Sequence, residues 1–194
     1  MRSPRNAPLV TVVDYGLGNL FSIQRALTHV EARVEITSSP EVLQRAKGVI
    51  LPGVGAFGDG MQQLQDRALI EPLRQYARSG RPLMGICLGM QLLLNQSEEF
   101  GQFGGLGIIG GTVVRLGDTD PDGGRVKVPH IGWNELCRAD CIDTWDSTVL
   151  RSLDDGEATY FVHSYAPVPK GRAVPTARIN YGGHWYCAAF EEEN

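Results

Sequence analysis

Basic residues never gather in this sequence: 18 Lys and Arg are dispersed among 22 Asp and Glu, and the formal charge is −4. That excludes the basic stripe with which proteins track nucleic acid. Long apolar runs are missing too, since stretches such as Pro82 to Ile86 and Met90 to Leu94 fall far short of the roughly 20 residues that cross a bilayer. Residues Met1 to Pro8 carry positive charge, but a short apolar stretch and no small-residue cleavage site follow, so neither membrane insertion nor secretion is expected. Cysteine is scarce, with only Cys87, Cys137, Cys141 and Cys187. A chain of 194 residues buries a core without disulfides, so these read as thiols in a cytoplasmic, reducing setting. What remains, 42% hydrophobic and 21% charged residues with 24 glycines, is an ordinary globular composition rich in turns.

Leu9 to Asp14 is apolar and β-branched and runs into Tyr15-Gly16-Leu17-Gly18-Asn19, a buried strand breaking into a glycine turn. Leu20, Ile23, Leu27 and Val30 then recur at helical spacing. Arg33 to Thr37 alternates as a strand, Ser38-Ser39-Pro40 opens a short helix, and Gly48 to Leu51 is a third strand. Pro52 to Gly60 reads as irregular, followed by one long helix from about Met61 to Arg78 that Ser79-Gly80 closes. Pro82 to Ile86 is a fourth strand, with a helix beginning near Met90. The alternation predicts an α/β fold with a mainly parallel sheet flanked by helices. After about Gly101 the pattern turns to strands alone (Thr112 to Leu116, Ala158 to Tyr165, Ala173 to Asn180, Trp185 to Phe190), expected as an antiparallel extension of the same sheet. Asp118 to Gly124 is a surface loop, and one domain is expected over residues 9–194 behind an extension at 1–8.

Gly85-Ile86-Cys87-Leu88-Gly89 places a cysteine between a buried strand and a helix, in the form of a nucleophile elbow with sulfur for oxygen. Glycines two residues to either side admit the tight turn, and the helix start favours an anionic sulfur. A nucleophile that attacks an acyl carbon needs an oxyanion hole. The Leu88 N–H supplies one donor. Pro52-Gly53-Val54-Gly55 leaves the third strand at the same carboxyl edge and supplies the other at Val54, where flanking glycines let the peptide turn over.

With Asp14-Tyr15-Gly16-Leu17-Gly18-Asn19, Pro52-Gly53-Val54-Gly55-Ala56-Phe57, Gly85 to Gln91, Val128-Pro129-His130-Ile131-Gly132-Trp133-Asn134 and Tyr160-Phe161-Val162-His163-Ser164-Tyr165, the chain resembles the class I glutamine amidotransferases, which have a flavodoxin-like fold. Pro-Gly-Val-Gly and Pro-His-Ile-Gly-Trp-Asn resemble, within them, the glutaminase subunits of imidazole glycerol phosphate synthase, from histidine biosynthesis. The resemblance implies that Cys87 forms a glutamyl thioester with glutamine while Leu88 and Val54 hold the oxyanion. It also implies that Gly53, Gln91, Glu99, Ser164 and Tyr165 bind the substrate; no cofactor or metal is expected. Asn19, His130 and Trp133, the last read as a loop residue, are the expected contacts to a (β/α)₈-barrel cyclase in a heterodimer.

The family completes its triad with a His-x-Glu pair after a strand like Tyr186 to Phe190. That pair does not occur up to Asn194, so the domain is expected to lack its last strand and helix here. His29, His130, His163 and His184 are poor substitutes for that base. Two alternatives stay open: a glutaminase serving another synthase, and a non-catalytic regulatory subunit. Gly16-Leu17-Gly18-Asn19-Leu20-Phe21 lacks the third glycine of a dinucleotide fingerprint, and Cys137-x-x-x-Cys141 lacks zinc-ligand spacing.

Overall fold

The computed structural model describes residues 7–192, so most of the expected extension at 1–8 lies outside the described residues. They gather into two compact units, one of residues 7–95 and 103–108, the other of residues 96–102 and 109–192.

The first unit follows the expected alternation: β1 (Leu9–Val13), α1 (Leu20–His29), β2 (Arg33–Thr37), α2 (Pro40–Arg45), β3 (Val49–Leu51), α3 (Phe57–Asp66), α4 (Ile70–Arg78), β4 (Leu83–Gly85) and α5 (Leu88–Leu92). The sheet order is β2-β1-β3-β4 and every pairing is parallel. Val12, Val13, Val49 and Leu51 are buried, as expected of strands covered on both faces. The strand order reverses between β1 and β3, and such a switch point opens a crevice at the carboxyl ends of the strands. Ser39 caps α2 by accepting from the Val42 N–H, with Pro40 in the first turn. Helix α1 lies over the edge strand β2 and buries none of its residues, leaving Val30 exposed.

The long helix expected over 61–78 is instead two. Leu69 N–H donates to Leu64 O and Ala68 N–H to Gln65 O, both at 2.9 Å, with Ala68 at φ +54°. This is a Schellman ending with alanine in the position that usually holds glycine. Pro72 was the signal for the break: mid-helix it would clash with the preceding turn, whereas in the first turn of α4 its missing N–H is harmless. The break also lets Leu64, Leu69 and Leu73 all reach the core. Helix α3 begins at Phe57, inside the stretch expected to be irregular.

In the second unit β5 (Gln96–Ser97) pairs parallel with β7 (Gly111–Arg115), which pairs antiparallel with β10 (Tyr165–Pro169). The short strand β6 (Phe103–Gly104) belongs to the first unit, where the Phe103 ring lies against Gly58 of α3. A second sheet in this unit runs in the order β12-β11-β8-β9, all antiparallel, from β8 (His130–Arg138), β9 (Glu157–His163), β11 (Val174–Tyr181) and β12 (His184–Glu191). Apart from the parallel β5–β7 pair, the later strands pair antiparallel as expected, but they form sheets distinct from β2-β1-β3-β4 and do not extend it. Leu136, Trp145, Ala177 and Ile179 centre the core of this unit, and the Trp145 indole N–H donates to Thr176 O at 2.8 Å.

Candidate active site

Cys87 stands between β4 and α5 with φ +54° and ψ −120°, and its thiol is exposed. A non-glycine residue in that region costs about 1–3 kcal/mol and persists only where its surroundings enforce it. They do so here. A Cβ on Gly85 would lie 2.4 Å from Met90 Cα, and one on Gly89 would lie 1.9 Å from Leu51 O. The same Leu51 carbonyl accepts the Ile86 N–H at 2.9 Å, so strand β3 is bolted to the turn that carries the thiol.

Pairing of Leu51 with Gly85 fixes where the two loops emerge. The Pro52-Gly53-Val54-Gly55 segment leaves β3 one residue beyond the pair, and Cys87 follows β4 two residues beyond it. Leu88 is buried at the first position of α5, where an amide has no earlier carbonyl within the helix to bond. Val54 is 52% exposed and is followed by Gly55 at φ +111°. Gly53 is pressed against the start of α5: a Cβ there would meet Gly89 N at 2.8 Å and Leu88 Cβ at 2.9 Å. Gln91 lies one helical turn beyond Cys87, half-buried. Cys87, Leu88, Gly53, Val54 and Gln91 all belong to the first unit.

Glu99, Ser164 and Tyr165 belong to the second, where the end of β7 collects them. Glu98 N–H donates to Val113 O at 3.3 Å, Tyr165 pairs with Arg115, and Leu116 N–H donates to Ser164 O at 2.9 Å. Glu98 and Glu99 divide in role. The exposed Glu98 carboxylate accepts the Arg115 N–H at 2.9 Å, while the half-buried Glu99 has its own N–H on Ser97 Oγ at 3.1 Å. That structural use of Glu98 has no signal in the sequence.

The expected partner contacts fare differently. Asn19 is exposed and caps α1, its Oδ1 accepting from Ser22 N–H at 3.1 Å. Trp133 lies in β8, a strand, where a loop was expected, and is 72% exposed beside Tyr160, ring to ring at 5.6 Å. Ile131 and Val162, paired across β8 and β9, extend that exposed apolar face. His130, expected on it, is buried: its ring stacks on Tyr181 at 3.9 Å, and its Nδ1 lies 3.1 Å from His163 Nε2. Strand alternation turns His130 inward where it turns Ile131 and Trp133 outward. His163 Nδ1 donates to Tyr165 O at 3.0 Å, which leaves its Nε2 to accept from His130. Burial holds both imidazoles below their ordinary range. The charge of His163 lowers His130 further, and the bond to Tyr165 O partly offsets the effect on His163. His184 Nε2 donates to Thr119 O at 2.8 Å. Among the described residues no group of three His, Cys, Asp or Glu is arranged to hold a metal ion, and no helix is long and apolar enough to cross a membrane.

The family model of the class I glutamine amidotransferases matches residues 11–194. Imidazole glycerol phosphate synthase subunit HisH 1 of Legionella pneumophila (strain Lens) is 44% identical over 95% of this chain and 87% of its own length. Subunit HisH of Bacillus licheniformis is 47% identical over 95% of this chain and 89% of its own. A crystal structure of a glutamine amidotransferase superposes with a TM-score of 0.63 at 16% identity, covering 94% of this chain and 90% of that one, a likeness of fold. On that family match and these identities, the chain belongs to the class I glutamine amidotransferase family.

Proposed function

We propose that this protein is the glutaminase subunit of an imidazole glycerol phosphate synthase. The observation that carries the reading is Cys87, held at positive φ between two glycines that admit no side chain. The Pro52-Gly53-Val54-Gly55 loop emerges from the adjacent strand, and close relatives bear that subunit's name. The Cys87 sulfur attacks the carboxamide carbon of glutamine, and the oxyanion takes hydrogen bonds from the Leu88 and Val54 N–H groups. The C–N bond then breaks as the departing nitrogen gains a proton, giving ammonia and a glutamyl thioester. Water hydrolyses the thioester to glutamate and restores the thiol. Glu99 is assigned the substrate ammonium and the Ser164 and Tyr165 backbone its carboxylate, a division that matches charge to donor; Gly53 and Gln91 complete the substrate contacts.

One acid–base group serves both steps, a role worth roughly 10² to 10⁴ in rate. The hydrogen bonds of His130, His163 and His184 engage them elsewhere; the role is assigned, as the resemblance implies, to the His-x-Glu pair that the family carries. The partner is a (β/α)₈-barrel cyclase in the same cytoplasmic compartment, docked through Trp133 and its exposed neighbours together with Asn19. Direct transfer keeps ammonia unprotonated, and so nucleophilic. The test is to purify the full-length chain, carrying the family's His-x-Glu segment, with a barrel cyclase from the same source and to follow glutamate release and consumption of the cyclase substrate. Tight association with glutamine-dependent turnover is expected. No association and no turnover refutes the reading, and consumption of a different ammonia acceptor would assign the glutaminase to another synthase.

A further inference from the structure

At the switch point between β1 and β3, a hydroxyl is buried without a partner. Tyr15 follows β1, is 1% exposed, and its Oη makes no hydrogen bond. A hydroxyl buried in that condition costs about 1–3 kcal/mol, so its position calls for a reason. Its surroundings are the catalytic loops themselves. A Cβ added to Gly53 would lie 2.3 Å from Tyr15 Oη, as well as 2.8 Å from Gly89 N and 2.9 Å from Leu88 Cβ. The phenol, the Gly53 backbone and the start of α5 thus converge on one point, on the buried side of a loop whose next residue, Val54, is exposed.

The Gly53–Val54 peptide is planar, so its C=O and N–H point in opposite directions. When the Val54 N–H turns toward the exposed Cys87, the Gly53 C=O turns away from it. Gly53, without a side chain, relaxes the limits on one of the two dihedrals that turn that peptide. We infer that Tyr15 is a positioning residue: its hydroxyl, buried beside Gly53 and Gly89 without a partner, donates to the Gly53 carbonyl when the Val54 N–H faces the oxyanion, and so holds the loop in its competent orientation. Burial above all, and then the neighbouring Cys87 charge, push the phenol well above its ordinary range, which keeps it a neutral donor at every working pH. The role deepens the glutaminase reading and rests on it.

Tyr15→Phe keeps the ring and removes the donor. In the full-length chain bound to its cyclase, kcat for glutamate release falls about three- to tenfold, the worth of one neutral hydrogen bond. KM for glutamine stays within about twofold, and the unfolding midpoint of the free chain is unchanged or higher, because the resting hydroxyl has no bond to lose. Wild-type kcat in Tyr15→Phe overturns the role while leaving the glutaminase reading intact. A lowered midpoint that accompanies the loss of kcat also overturns it, since it marks a merely structural hydroxyl. Absence of glutamate release by the unsubstituted complex refutes the glutaminase reading, and this role with it.

Discussion

Replacing Gly89 by alanine would put a methyl carbon 1.9 Å from the Leu51 carbonyl oxygen, 2.7 Å from its carbon and 2.9 Å from Pro52 O. Contacts below 3.0 Å do not survive between such atoms, so α5 and β3 must separate by at least about 1 Å. Two routes are open. The carbonyl rotates away and gives up the Ile86 N–H at 2.9 Å, which leaves the amide of this half-buried residue without its partner, at a cost of up to about 1–3 kcal/mol. Otherwise α5 lifts from the sheet, an overpacking cost of about 1–3 kcal/mol. Either displaces Cys87 and Leu88 relative to the Val54 loop. We expect Gly89→Ala to lose about 3 kcal/mol, which lowers the unfolding midpoint of a chain this size by about 6–12 °C. Glutaminase turnover should fall about 10²-fold, the effect of a 1 Å misplacement at a reacting centre. Gly48→Ala is the matched control: nothing lies within 4 Å of its added methyl, and stability should stay within about 0.5 kcal/mol. Thermal unfolding by circular dichroism and glutamate release measure both variants. A Gly89→Ala protein with the wild-type midpoint and turnover would refute the reasoning.

A glutamine-like chloroketone should alkylate Cys87 and leave Cys187 unmodified, because burial pushes the Cys187 thiol up to about 12; label on Cys137 or Cys187 by mass spectrometry, or label surviving Cys87→Ser, would show that the nucleophile is misassigned. Trp133→Ala, which removes a side chain 72% exposed, should weaken cyclase binding about 10- to 30-fold by calorimetry with the unfolding midpoint unchanged; an unaltered Kd would move the docking face elsewhere. The depressed His130 and His163 imidazoles refuse protons that the unfolded chain accepts below about pH 6.5, so their stabilisation is complete above that value and fades as pH falls through their lowered folded values. Unfolding midpoints between about pH 5 and 8 should therefore drop on the acid side, and His163→Asn should flatten that slope; an unsubstituted protein whose midpoint is the same across this range would show that the pair is not linked to folding.

The parallel half of the fold and the elbow were legible because each is written locally. Buried parallel strands appear as apolar runs, and the turn that carries Cys87 advertises itself by glycines that packing leaves no room to replace. What was illegible depends on partners distant in sequence. Strand β8 was hidden because its alternation is inverted: Ile131 and Trp133, apolar, face outward, while His130 and Asn134 lie on the other face. His130 looked like a surface contact until pairing with β9 placed it opposite His163. The division of the later strands into separate sheets is decided by long-range register, on which composition is silent. The break at Ala68 was readable at Pro72, but the apolar spacing on either side outweighed it.

The sulfur and the two N–H groups proposed to hold the oxyanion arise from two neighbouring strands of one short sheet, within the stretch from Val49 to Leu88. The groups assigned to the amino-acid end of glutamine lie mostly elsewhere in the chain, on the strands around β7. On the proposed assignment, bond cleavage and substrate affinity can drift independently: changes near Glu99 or Ser164 would retune how tightly glutamine is held. A single glutamine-cleaving cassette can in this way be inherited intact while its surroundings are fitted to whichever enzyme consumes the ammonia.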